Sequence, residues 1–180
     1  MLGSYQVLEA ARRGAIPRVL LVDSNRVRGF CPVAHRTGPQ DPVRPYSLYG
    51  VSKAAVEALG WLYADKSGVS VPCLRIGSFE EAPTESRHPA TWLSPRDAFG
   101  FCRAALTALL FTRFATEYAV SANARRFWEL PTESELAFTP VDNAETHASH
   151  IPDANAPAEP EAPQAGLNAL LEFTLRHIRP

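Results

Sequence analysis

The sequence predicts an α/β chain with parallel strand pairing, and three observations carry that expectation. The predicted elements follow one another as helix, strand, loop, helix, strand, the order of a crossover unit. Val19-Leu20-Leu21-Val22 and the run from Val71 to Ile76 are short and apolar, as strands covered on both faces require. A long helix between them, from about Tyr49 to Lys66, carries Ala54, Ala55, Ala58, Leu59 and Leu62 as a small-residue packing stripe.

Each element has its own signal. Ser4 is placed to cap a helix running to about Arg13, with Gly14 as its stop. The first strand ends at Asp23-Ser24-Asn25, polar residues expected where a strand meets solvent. From Arg28 to Ser47 the chain carries Pro32, Pro39, Pro42 and Pro45 and reads as a loop. Gly68 ends the long helix. Ser94-Pro95-Arg96-Asp97 supplies a cap, a proline at the first helical position and an acid in the first turn of a helix reaching about Phe111. A strand is expected over Glu117 to Ser121, then an irregular aromatic patch around Phe127 and Trp128, then a short helix over Asp142 to His150. Residues 1–151 therefore form one unit. Residues 152–165, rich in proline and alanine, read as a flexible linker. Leu167, Leu170, Leu171 and Leu175 give a short amphipathic helix over 166–180.

Bulk properties exclude several classes of function. With 180 residues the chain can bury one sizeable core. A net charge of -1 offers no basic face, so no nucleic-acid partner is expected. Cys31, Cys73 and Cys102 are odd in number and lack metal-ligand spacing, which suits packed, reduced thiols and no metal site. The N-terminus shows no signal peptide, and the apolar stretch Phe99 to Phe111 is too short to span a bilayer. The expectation is a cytoplasmic protein without a membrane partner.

The chemistry concentrates at Tyr49-Gly50-Val51-Ser52-Lys53. A tyrosine four residues ahead of a lysine puts both side chains on one helix face. An ammonium there can draw a phenol down from its free pKa of about 10 and make it a general base. Such a pair removes a proton from a sugar or alcohol hydroxyl while a nicotinamide accepts hydride. Ser24 and Asn25, at the end of the preceding strand, lie at the carboxyl edge where such sites form.

These residues carry a family likeness. Ser24-Asn25 followed by Gly29-Phe30, then Leu48 to Lys53, then Leu74-Arg75-Ile76-Gly77-Ser78, resembles the extended short-chain dehydrogenase/reductases. Within the NAD-dependent epimerase/dehydratase superfamily the pattern is most similar to the uronate dehydrogenases. Arg87, Thr91-Trp92 and Asp142-Asn143-Ala144-Glu145 continue the likeness, which covers about Gly3 to Glu145.

The resemblance implies roles. Tyr49 would be the general base, with Lys53 as its partner and a ribose contact. Ser24 would hydrogen-bond the hydroxyl being oxidised, and Asn25 would help hold the sugar acid. Ile76 would flank the nicotinamide of NAD, while Ser78 and Arg87 would grip the substrate. The implied reaction oxidises a hexuronate at its anomeric carbon to an aldarolactone. The implied fold is the C-terminal part of a Rossmann-type parallel sheet flanked by helices, incomplete at its N-terminal side. No G-x-x-G-x-x-G or G-x-G-x-x-G occurs in the sequence, so the chain is expected to be truncated and weakly active or inactive alone. Two alternatives stay open: a sugar-nucleotide epimerase or dehydratase relative, and a non-catalytic partner of a full-length homologue. A homodimer is the other association the resemblance implies. Three departures stand out: Asp23 where the family has a small or hydroxyl residue, Arg26 in place of a frequent histidine, and His147 where an aromatic is common.

Overall fold

The structure, a computed structural model, describes residues 1–109, 113–130, 136–153 and 159–169. It opens with helix α1, Leu2–Arg13, followed by strand β1, Leu21–Ser24, and a single 3-10 turn, Asn25–Arg28. Helix α2, Leu48–Ser67, starts at Ser47, whose hydroxyl accepts from the Gly50 N–H, and ends at Gly68. Strand β2, Val71–Ile76, and the two-residue strand β3, Ser78–Phe79, come next. Then follow α3, His88–Thr91, β4, Trp92–Leu93, α4, Pro95–Thr107, and β5, Phe114–Ala119.

The main sheet is parallel throughout, in the order β1-β2-β5. Alternate residues of β2 face opposite layers. On one face Cys73 and Val71 pack with Leu21, Phe114, Leu8 of α1, and Val56, Tyr63 and Ala64 of α2. On the other, Leu74 packs with Ala119, Leu93, and Phe101 and Ala105 of α4. The sheet is thus sandwiched by helices, and β1 has no strand partner on its outer edge among the described residues. Val22, on that edge strand, is 58% exposed.

Several expectations are corrected. Ser4 lies inside α1, whose cap position is Met1 without a side-chain bond. Strand β1 begins at Leu21 rather than Val19 and carries Asp23 and Ser24 within it, so both are buried instead of meeting solvent. The packed face of α2 is Val56, Gly60, Tyr63 and Ala64, while Ala58 and Leu62 of the expected stripe are exposed. Small residues do bring the helix onto the sheet, but at Gly60 and Ala64: a Cβ on Gly60 would lie 2.7 Å from the Phe114 ring. Helix α4 ends at Thr107, and β5 begins at Phe114, three residues before the expected start. The short helix expected over Asp142 to His150 forms as a 3-10 helix, Ala144–His150, with Asn143 as its cap.

The stretch read as a flexible linker is anchored over its second half. Val33 N–H donates to Ala162 O at 2.8 Å, Gln164 N–H to Cys31 O at 2.8 Å and Ala165 N–H to Gly29 O at 3.0 Å. Residues 159–165 therefore run as a strap of successive turns along the 29–34 loop. Of the expected terminal helix, Gly166–Ala169 forms a 3-10 turn. Residues 170–180 lie outside the described residues, as do 154–158.

Candidate functional site

The candidate residues gather where β1 and β2 end. Ser24 and Ile76 are register partners across the ladder. Ser24 has extended backbone, and its Oγ accepts from Arg26 N–H at 3.2 Å, starting the 3-10 turn. Asn25, the first residue of that turn, is half-buried. After Ile76 the chain must pass tightly under α3: a Cβ on Gly77 would collide with the carbonyl oxygen of Thr91. Only glycine permits that crossing.

Tyr49 and Lys53 occupy the first turns of α2, beside the same strand ends. Gly50 allows the helix head to approach, since a Cβ there would lie 2.5 Å from Arg26 O. The Lys53 Nζ stands 5.6 Å from the Tyr49 ring centre and donates to Val22 O at 2.9 Å. Tyr49 is 49% exposed, so its hydroxyl is open to a ligand. On its other side Arg26 places its guanidinium carbon 5.7 Å from the same ring centre and 5.9 Å from that of Tyr46. Burial raises the Tyr46 phenol above its ordinary value, against the charges of Arg26 and Arg87.

Ser78 and Arg87 connect through a residue that sequence reading did not single out for the site. The hydroxyls of Ser78 and Thr91 are 2.9 Å apart, and Thr91 Oγ1 donates to Arg87 O at 3.2 Å. The loop carrying Arg87 is pinned by buried His88, whose Nδ1 accepts from Thr84 N–H and Glu85 N–H at 2.9 and 3.2 Å. Burial lowers His88 from its ordinary value, consistent with a neutral accepting ring. Arg87 reaches Gln164 O at 3.4 Å, and its buried Nε has no partner. A cleft of about 450 Å³ opens beside it, lined by Ser86, Arg87, Thr91, Arg125, Phe127 and Gln164 among others. Tyr49, Lys53, Ser24 and Ser78 do not line this cleft; Ser78 reaches its wall through Thr91.

Below Lys53 lies a charged cluster. Arg75 donates to both Glu57 oxygens, at 2.6 and 2.9 Å, in a buried fork. Burial opposes the Arg75 charge, but the bonds and charge of Glu57 raise its pKa above the ordinary arginine value. Asp23, 3% exposed, has neither carboxyl oxygen hydrogen-bonded, and its Oδ1 is 3.8 Å from Lys53 Nζ. Burial, then the neighbouring Glu57 carboxylate, push its carboxyl up to about 8 against Lys53 and Arg75. Cys73 shares the cluster, its thiol pushed well up by burial and then by Asp23 and Glu57. The ligand atoms of Asp23, Glu57 and Cys73 lie within 4.8 Å of one another. Arg75 already occupies both Glu57 oxygens, which leaves that trio no strong carboxylate fork for a cation.

The NAD dependent epimerase/dehydratase family profile matches residues 1–94, more than half of the chain. The chain belongs to that family. It is 35% identical over 160 residues to a uronate dehydrogenase of Agrobacterium fabrum, covering 89% of this chain and 60% of that relative. An L-arabinose 1-dehydrogenase (NAD(P)(+)) of Haloferax volcanii is 34% identical over 168 residues, covering 80% of this chain and 66% of the relative. Among solved structures, a variant uronate dehydrogenase from Agrobacterium tumefaciens complexed with NAD superimposes with a TM-score of 0.86 at 33% identity. That match covers 94% of this chain and 65% of the other. The chain spans about 60% of the length of the curated relatives it matches. More distant neighbours, such as a UDP-galactose 4-epimerase at 24% identity and TM-score 0.56, share the fold. Among the described residues no helix is long and apolar enough to cross a membrane.

Proposed function

We propose that this chain carries the proton-transfer and sugar-acid-binding part of an NAD-dependent uronate dehydrogenase. The observation that carries the reading is the placement of Tyr49 and Lys53 at the head of α2, beside Ser24 and Ile76, with Arg87 held across the same sheet edge through Thr91 and Ser78. Similarity to uronate dehydrogenases over most of the chain supports it.

In this reading each residue acts by its position. Ser24 Oγ accepts from Arg26 N–H, which leaves its own proton to donate to the substrate oxygen. Tyr49 takes the proton of the anomeric hydroxyl as the C–H bond gives up hydride and the sugar acid becomes its lactone. Lys53, tethered at Val22 O, holds positive charge beside the phenol as the proton moves. Asn25 and Ser78 hold sugar hydroxyls, and Arg87 takes the carboxylate in a fork.

The residues present fit one end of the cofactor. Ile76 offers a half-buried apolar side chain beside Ser24 for the nicotinamide, and Lys53 an ammonium for the ribose. NAD, when bound, supplies the hydride acceptor. The sequence holds no glycine-rich turn to cradle its pyrophosphate. The chain by itself should therefore bind NAD weakly and turn over negligibly. The open edge of β1, with Val22 exposed, is where a further strand of a longer protein or of a full-length relative would add.

Calorimetric titration tests the reading. The chain should bind galacturonate or glucuronate but not galactose, and Arg87→Gln should abolish the difference. Equal binding of galactose and galacturonate contradicts a sugar-acid site. Micromolar NAD affinity contradicts the cofactor half of the proposal.

A further inference from the structure

Arginine supplies nearly all the positive charge of this chain, and most of the described buried or bridging guanidinium groups are matched. Arg12 and Arg13 pair with Glu9, Arg75 with Glu57, Arg96 with Asp142 and Arg125 with Glu145. Arg28 faces Asp41. Arg126 keeps an unpartnered buried Nε but donates to Asn123 O at 2.9 Å. Arg26 and Arg87 are the pair that bears on Tyr46. Among the described residues neither has a carboxylate within ion-pairing distance, and the Arg26 side chain makes no hydrogen bond. Arg26 is half-buried against the Tyr46 and Tyr49 rings at 5.9 and 5.7 Å. Arg87 has a buried, unpartnered Nε and a single long contact to Gln164 O.

The two guanidinium groups flank Tyr46: Arg26 lies 5.9 Å from its ring centre, and Arg87 donates to Gln164 O, whose neighbour Ala165 packs against Tyr46. Burial is the largest cause lowering the pKa of Arg87; Tyr46 and Glu85 oppose it, and Arg26 adds to it. Both charges bear on the Tyr46 phenol. Two half-buried cations with no carboxylate in contact are unfavourable, and removing a cation's partner inside a protein is costly. An anion between them reverses that balance, because planar guanidinium forks match the oxygens of a carboxylate or phosphate.

We infer that Arg26 and Arg87 grip one oxyanion of the substrate from two sides, which makes Arg26 a specificity-determining residue. The inference rests on the sugar-acid reading of the Tyr49 edge. It adds a second cation, placed against the catalytic tyrosine, to the single arginine of that reading. A sugar carboxylate and a sugar phosphate share the chemistry that such a grip recognises.

Side-chain nitrogen NMR of the full chain, titrated with galacturonate, galactose 6-phosphate and uncharged galactose, separates the outcomes. The Nε signals of Arg26 and Arg87 should both move with an anionic sugar and stay still with galactose. Arg26→Gln should weaken anionic binding about tenfold while its melting temperature stays at the native value, and Arg26→Lys should restore part of the affinity. Galacturonate binding that moves Arg87 alone, with Arg26→Gln unchanged in affinity, overturns the two-arginine grip and leaves the sugar-acid reading standing. Binding of the phosphate through both arginines, with no binding of galacturonate, upholds the grip and overturns the sugar-acid reading.

Discussion

Asp23 stands directly opposite Arg75 in the β1–β2 register, yet Glu57 takes that guanidinium in a bidentate fork. Asp23 is left buried, with Lys53 at 3.8 Å and no hydrogen bond. Its carboxyl is pushed up to about 8 from an ordinary 3.8, chiefly by burial and then by Glu57. The folded chain therefore holds a proton that the unfolded chain releases between those values. Stability from this group is full below pH 3.8 and is lost as pH rises through about 8.

Asp23→Asn removes that dependence. At alkaline pH the variant should be more stable than the native chain by about 2 kcal/mol or more, and the advantage should shrink as pH falls toward 4. Urea denaturation across the window measures it. An unchanged pH slope in the variant contradicts the assignment to Asp23.

Gln164 ties the strap to the body. Its Oε1 accepts from Trp128 Nε1 at 3.1 Å and Thr37 Oγ1 at 3.3 Å, and its Nε2 donates to Pro32 O and His35 O at 3.1 and 2.9 Å. Gln164→Ala leaves several of those buried groups unsatisfied and should cost about 2–4 kcal/mol in chemical denaturation. The backbone carbonyl of residue 164 also meets Arg87, so the variant, its strap loosened by the loss of the side chain, should bind galacturonate more weakly. A loss under half a kcal/mol, roughly the size of a neutral surface change, would show that the strap is not fastened there.

Gly50 sets the approach of α2 to the 25–28 turn. In Gly50→Ala the new methyl lies 2.5 Å from Arg26 O and 3.0 Å from Pro45 Cβ, so the helix head must shift. Overpacking of this kind costs about 1–3 kcal/mol. The same shift should separate Tyr49 from Arg26 and weaken anionic-sugar binding. Stability and affinity both equal to native would contradict this close packing.

The sequence showed most of what local chemistry controls. The helix from Leu48 to Ser67 was marked by its Gly68 stop and by the tyrosine-lysine spacing, and Val71–Ile76 by its continuous apolar run. The small strands β3 and β4 were not legible, because two residues carry no periodicity and their pairing depends on Gly77 passing under Thr91. The docked strap escaped notice for a related reason. Its bonds are to the backbone and to one glutamine, and composition alone made it look unattached. Asp23 was noticed as a departure, but its burial depended on where β1 begins, a matter of register rather than of residue type. Thr91 gained its place by meeting Ser78, a contact between segments that no spacing predicts, while its bond to Arg87 O spans a single helical turn.

The proposed role of Tyr49 as the base of a sugar-acid dehydrogenase site can be tested in turnover. The most direct measurement is formation of reduced NAD by this chain fused behind the dinucleotide-binding half of a uronate dehydrogenase, with galacturonate, glucuronate and UDP-galactose as substrates. The account predicts oxidation of the uronates, no turnover of the nucleotide sugar, and a loss of about 10²–10⁴-fold in Tyr49→Phe. Turnover of UDP-galactose in place of the uronates, or full activity in Tyr49→Phe, would contradict it.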